Sequence, residues 1–210
     1  MHKGTVVNLG QFNNLFAFLK NNWCLITLTI SFLFGVTFGI FTVQKGNQLS
    51  EFFIRLAESF ITLRTEREFL SIFLNSLYTN ISFLILILIF GTSVTGITLA
   101  PILISARGCL FGAIAGVFYS EYSLKGIALN ALVLIPPTII AVIFLIVSAR
   151  EAMKLSLTVI SVTLPESKPK NLSFHFGAFC KRSLILIIPI IFSALLDGWL
   201  SIKLISFLDI

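Results

Sequence analysis

The sequence predicts an all-α fold, a polytopic transmembrane helical bundle of about five spans forming one integral membrane domain over 1–210, N-terminus inside and C-terminus outside. Composition is the first reason: 57% of residues are apolar and 11% charged, against about a quarter charged in soluble domains. Mean hydropathy, at +1.01, is the second. The third is patterning, because uncharged apolar runs recur at the length a bilayer demands, about 20 residues rising about 1.5 Å each.

The net charge of +6 does not point to nucleic acid, since no basic run exceeds two residues; it suits membrane topology instead. Cys24, Cys109 and Cys180 stand singly, without a CxxC motif. Neither a disulfide framework nor a zinc site is expected, and the three read as small hydrophobes.

Span 1 covers 23–43, "WCLITLTISFLFGVTFGIFTV". It is longer than a signal-peptide core and is followed by "QKGNQ" without a cleavage pattern, so it is expected to remain as a span. In the next, charged segment, 51–68 reads as an outer amphipathic helix. Phe53, Leu56, Phe60 and Leu63 recur three or four residues apart, and Glu51 can pair with Arg55 one turn on. Such a helix either pre-orients span 2 or presents a docking surface to an extracytoplasmic partner, with Phe53, Leu56 and Phe60 as contacts.

Residues 69–106 carry no charge for about 38 positions, roughly 57 Å of helix and too long for one pass. Gly91, Gly96 and Pro101 in "FGTSVTGITLAP" divide them into span 2, 72–93, and span 3, 99–119. An outer turn over 120–126 would expose Tyr122 and Lys125 as further partner contacts. Span 4, 127–149, holds Pro136-Pro137 at its middle; two missing donors imply a kink or break, with freed carbonyls facing protein or water. An inner loop, 150–182, is patterned to hug the membrane through 150–163 and 172–182. Span 5, 183–206, contains Asp197 and Lys203.

Orientation follows from basic residues in the loops. Lys3, Lys20, Arg150, Lys154, Lys168, Lys170, Lys181 and Arg182 fall on one side, and Lys45, Arg55, Arg64, Arg67 and Lys125 on the other. The richer side is assigned to the inside.

Catalytic chemistry is not expected. His2 and His175 lie outside every span, Asp197 is the one carboxylate within a span, and no phosphate-binding loop occurs. No catalytic, cofactor-binding or metal-binding residue is assigned, and the sequons at Asn80 and Asn171 fall in a span and on the inner face. Intramembrane charge is the alternative signal, since a charged side chain at mid-span costs about 2.5–3.5 kcal/mol on insertion scales. Arg107 in span 3 either pairs with Asp197 of span 5 or snorkels to the inner headgroups.

Gly108, Gly112 and Gly116 recur every fourth residue directly behind Arg107, and Gly35 and Gly39 repeat the pattern in span 1. Small residues at this spacing make a smooth stripe on which another backbone can lie closely. The partner is a span of the same chain or of another chain, the latter giving a homo-oligomer.

From about 72 to 157 these features resemble the stage II sporulation protein M family. The resemblance rests on "FLNSLYTNISFLILILIFGTSVTGI", on Pro101 followed by an apolar stretch ending in Arg107-Gly108, on the GxxxGxxxG run, on "YSLKG", and on "LVLIP" ending at Pro136. Family members often follow that proline with a polar residue, where this chain has Pro137. What the resemblance implies is a non-enzymatic scaffold in the bacterial cell membrane, at the mother-cell septum in a sporulating host. It would anchor and localise the peptidoglycan-degrading stage II sporulation proteins D and P during engulfment. A membrane subunit of an ABC-type or other small transporter is the alternative, for which Arg107, Asp197 and the proline pair would be the working parts.

Overall fold

Six helices and no strand make up the residues described by the computed structural model, 22–44, 48–65, 68–163 and 172–207. They are α1 (Trp23–Gln44), α2 (Gln48–Thr65), α3 (Phe69–Gly91), α4 (Gly96–Leu129), α5 (Ile135–Thr163) and α6 (Leu172–Phe207), with a π-helical segment at Asn130–Leu134 between α4 and α5. The chain is multi-pass. Five stretches are long and apolar enough to cross a membrane: Trp23–Gln44, Phe69–Gly91, Gly96–Ser120, Gly126–Val162 and Phe176–Lys203. Helix is the local answer because lipid offers no partner for a backbone N–H or C=O, so each span must satisfy its own.

The core draws on every span. Leu28, Leu84, Ile104, Leu145 and Ile190, one from each, are almost wholly buried together. Away from the core the spans remain apolar. On α1, Ile30, Phe34, Phe38 and Phe41 form an exposed stripe opposite buried Leu28, Gly35, Gly39 and Val43. In lipid, outward phenylalanine costs nothing, so such a span shows no polar face.

Between α3 and α4 the turn is tight. The backbone N–H groups of Thr92 and Ser93 donate to the carbonyls of Ile89 and Phe90 at 3.3 and 3.1 Å, and the hydroxyls of the same two residues donate to the same carbonyls at 2.7 and 2.9 Å, so this helix end is satisfied locally. A Cβ on Gly91 would lie 2.6 Å from the Cβ of Ala152, so α5 presses directly on this end of α3.

The connection from α4 to α5 differs from the expected turn at 120–126, where the backbone is helical. The chain nonetheless reverses. Ser156 Oγ donates to the Val94 carbonyl at 3.0 Å across 62 residues, which a straight helix would separate by roughly 90 Å. The reversal lies between Phe118 and Val133, which are buried in one cluster with Leu134.

Two further expectations are corrected. The segment 150–163 is no surface loop: α5 runs to Thr163, with Ala152, Met153, Leu155 and Ser156 buried in the bundle. α6 likewise starts at Leu172, which reduces the 150–182 connection to 164–171, outside the described residues. Glu151 of α5 accepts hydrogen bonds from Lys154, at 3.2 Å, and from Arg182 of α6, so charge placed there by sequence as loop instead fastens two helices. Nor is Pro136-Pro137 a helix break. Both fall in the first turn of α5, where missing donors are tolerated, and the wider π segment immediately precedes them.

Candidate functional site

Two features at the α2 end of the bundle stand out, a glycine seam and a polar cavity. In the seam α1 and α4 meet backbone to backbone. A Cβ on Gly35 would strike the Ser105 carbonyl oxygen, and one on Gly39 the Cys109 carbonyl oxygen. From the other side, a Cβ on Gly108 would strike the Phe32 carbonyl oxygen and one on Gly112 that of Val36. The two stripes therefore interdigitate within one chain. Gly116 differs, since its nearest neighbour, Ile40 Cα, would lie at an ordinary 3.5 Å.

The cavity, about 260 Å³, is lined by residues of α2 through α6 and of the π-helical segment. α2 forms its cover. Ala57 is wholly buried against Val43, Ala113 and Val117, and Phe60 and Ile61 pack on Phe118, Val133 and Leu134. The apolar stripe of α2 ends in Arg64, which the same helical register turns inward. Arg64 Nη2 donates to both carboxylate oxygens of Asp197, at 2.8 and 2.7 Å, and both side chains are buried, 4% and 8% exposed. Its Nη1 also donates to the Phe60 carbonyl at 3.3 Å, and its guanidinium lies 3.3 Å from the centre of the Phe60 ring. Removing one member of such a buried pair costs about 3–5 kcal/mol, because the other charge is left without compensation.

Arg107 occupies the same cavity from α4. Its Nη2 donates to Asn80 Oδ1 at 3.0 Å, and its guanidinium stands 5.8 Å from the Phe83 ring centre. Its Nε is buried and makes no hydrogen bond among the described residues. Neither sequence expectation for Arg107 holds: it does not snorkel away, and the ion-pair partner of Asp197 is Arg64. The pairing is reassigned because α2, expected on the membrane surface, folds across the bundle and carries its own arginine to the carboxylate. Ser59, Asn75, Ser76, Thr79, Thr138 and Ser193 complete the polar lining. Ser193 donates to the Pro137 carbonyl at 2.7 Å, so a carbonyl beside the proline pair finds its acceptor role within protein.

The expected partner surface is also revised. Phe53 and Phe60 are half-buried and line the cavity instead of facing outward, whereas Leu56 borders the cavity and stays exposed, as expected of it. α2 leaves Glu51, Phe52, Arg55 and Glu58 exposed, together with Leu56, Ser59 and Thr62, and Arg55 pairs with Glu51 at 3.7 Å. The side chains of Tyr122 and Lys125 lie outside the described residues. Lys203 is exposed near the end of α6, its Nζ 4.5 Å from the Trp199 ring centre.

Sequence reasoning missed Arg64 and Asn80. Arg64 carried a signal, since it continues the spacing of Phe53, Ala57 and Phe60 and so sits on the apolar face. Asn80 carried none beyond being an amide in a span.

A family model described as Stage II sporulation protein M matches residues 28–202, which runs from within the first span to within the last. No curated protein and no solved structure matches the chain.

Proposed function

The chain belongs to the stage II sporulation protein M family, a sporulation-related membrane protein, and on that premise we propose that it is a non-enzymatic scaffold. It anchors and localises extracytoplasmic peptidoglycan-degrading proteins during engulfment, stage II sporulation proteins D and P being the partners the family resemblance implies. Its setting would be the mother-cell membrane at the septum, with the α2 end outside.

The observation supporting this reading is α2 itself. The helix is fastened to the bundle by Ala57, Phe60 and the Arg64–Asp197 pair, and it leaves a fixed face of Glu51, Phe52, Arg55 and Glu58. A helix serving only as a tether would need no buried ion pair to fix which face it shows. Rigid presentation lowers the ordering cost a partner must meet on binding.

Deleting α2 is a poor test, since it strands Asp197. The informative variant replaces Glu51, Phe52, Arg55 and Glu58 with alanine and keeps Arg64. Insertion and detergent melting temperature should be unchanged, while co-purification of wall hydrolases from sporulating cells falls at least about tenfold. Undiminished co-purification would count against the proposed face. A native complex holding a cytoplasmic ATPase and no hydrolase would overturn the scaffold. That result would favour a transporter subunit, a second reading that the charged intramembrane cavity supports.

A further inference from the structure

Among the described residues, the side chains lining the cavity under α2 leave a charge imbalance. Two guanidiniums, Arg64 and Arg107, and one carboxylate, Asp197, line it. Arg64 and Asp197 neutralise each other through their contacts of 2.7 and 2.8 Å. Arg107 gives its hydrogen bond to a neutral acceptor, the Asn80 side-chain oxygen, and although the charge of Asp197 also reaches it, it forms no ion pair among the described residues. Among the described residues the cavity therefore carries one uncompensated positive charge. Two donors are also unused there, the buried Nε atoms of Arg64 and Arg107. Buried charges in a membrane are ordinarily paired or hydrogen-bonded, and an ionised guanidinium cannot escape by losing its proton.

We infer that this cavity binds a singly charged oxyanion carried on an apolar chain, either a lipid phosphodiester or a fatty-acid carboxylate, with the oxyanion at Arg107. Each part of that description has an observation behind it. One excess positive charge calls for one negative charge, and a doubly charged phosphate monoester would overcompensate. A guanidinium with free N–H groups matches the oxygens of a phosphodiester or carboxylate. The space, about 260 Å³, is many times the roughly 30 Å³ share of one water and exceeds what a halide ion would fill. Its walls divide by polarity: Asn75, Ser76 and Thr79 of α3 on one side, Leu110, Phe111 and Ile114 of α4 on another. A free inorganic anion has no use for the apolar wall, whereas a carbon chain does. The inference stands independently of the scaffold reading, since it concerns the bundle interior and not the exposed face of α2.

Native mass spectrometry of the full chain, delipidated in a neutral detergent, tests it. The probes are phosphatidylglycerol, oleate, phosphatidylcholine and inorganic phosphate, each also scored by the shift in detergent melting temperature. One phosphatidylglycerol or one oleate per chain should bind at least about tenfold more tightly than phosphatidylcholine. Arg107→Gln should remove that preference together with the thermal shift, Arg107→Lys should keep a preference of the same sign but weakened, and the surface variant Arg55→Gln should retain it within about threefold. Preference for phosphatidylglycerol identifies the lipid source and preference for oleate the fatty-acid source; either supports the oxyanion site. Equal binding to the wild-type chain and Arg107→Gln, equal binding of phosphatidylcholine, or inorganic phosphate binding as tightly as the amphiphiles would each overturn it. The lysine variant keeps the test valid if the glutamine variant proves unstable.

Discussion

The α1–α4 seam and the cavity beneath α2 hold helices together by opposite means, though both rest on α4. In the seam nothing polar is exchanged between side chains: four glycines let two backbones approach until a single added Cβ at Gly35, Gly39, Gly108 or Gly112 would collide with a carbonyl oxygen. In the cavity the helices stand apart, and arginine, aspartate and asparagine side chains bridge them. Lipid makes both necessary. Apolar contact between helices gains little when lipid tails are as apolar as leucine, so association must come from close packing or from satisfied polar groups. The seam is rigid because it has no spare volume. The cavity has volume and charge to spare, and function is expected there.

Substitutions can test how far that contrast extends, beginning with the largest effect. Gly112→Leu should cost more than the roughly 3 kcal/mol typical of severe core overpacking, because its neighbour is backbone and cannot repack. Little monodisperse protein should survive size-exclusion chromatography in detergent. Near-normal yield would mean that the seam opens freely.

Asp197→Ala comes next, at about 3–5 kcal/mol, read as a fall in melting temperature. Adding Arg64→Met to it should recover most of the loss, whereas adding Arg107→Ala should not. Rescue by the Arg107 substitution alone would restore the pairing that sequence suggested and would reject the observed one.

Asn80→Ala removes the acceptor of a charged donor and should cost about 1.5–3 kcal/mol. If the oxyanion site is real, phosphatidylglycerol or oleate should offset part of that loss. Smallest of all is Gly116→Ala, where the added Cβ meets ordinary van der Waals distances; its effect should stay within about 0.5 kcal/mol. A loss there comparable to that of Gly112→Leu would show that the seam extends a full turn farther along α4.

Span number and the seam were legible because both are local and periodic. Charge-free runs reveal the spans, and a four-residue spacing of glycine reveals a smooth face whatever lies against it. The π segment was half legible, since Pro136-Pro137 announced lost donors but not that a wider turn upstream would keep the helix continuous. The 150–163 segment was misread because its charges resemble a loop, while Glu151 spends them on Lys154 and Arg182. α2 was recognised as amphipathic, but its apolar stripe was assigned to lipid or a partner when the bundle itself takes it.

By itself, then, the sequence determined a helical bundle crossing the membrane several times and a glycine stripe on two of its helices, because bilayer thickness and helical pitch act on neighbouring residues. Tertiary structure alone decided that α1 and α4 are each other's partners and that Asp197 belongs to Arg64. It also decided that Arg107 gives its hydrogen bond to Asn80 and forms no ion pair among the described residues. The Arg64–Asp197 pair joins residues 133 positions apart. Three intramembrane-facing charges admit more than one pairing, and only the path of the chain, bringing α2 back across the bundle, selects between them.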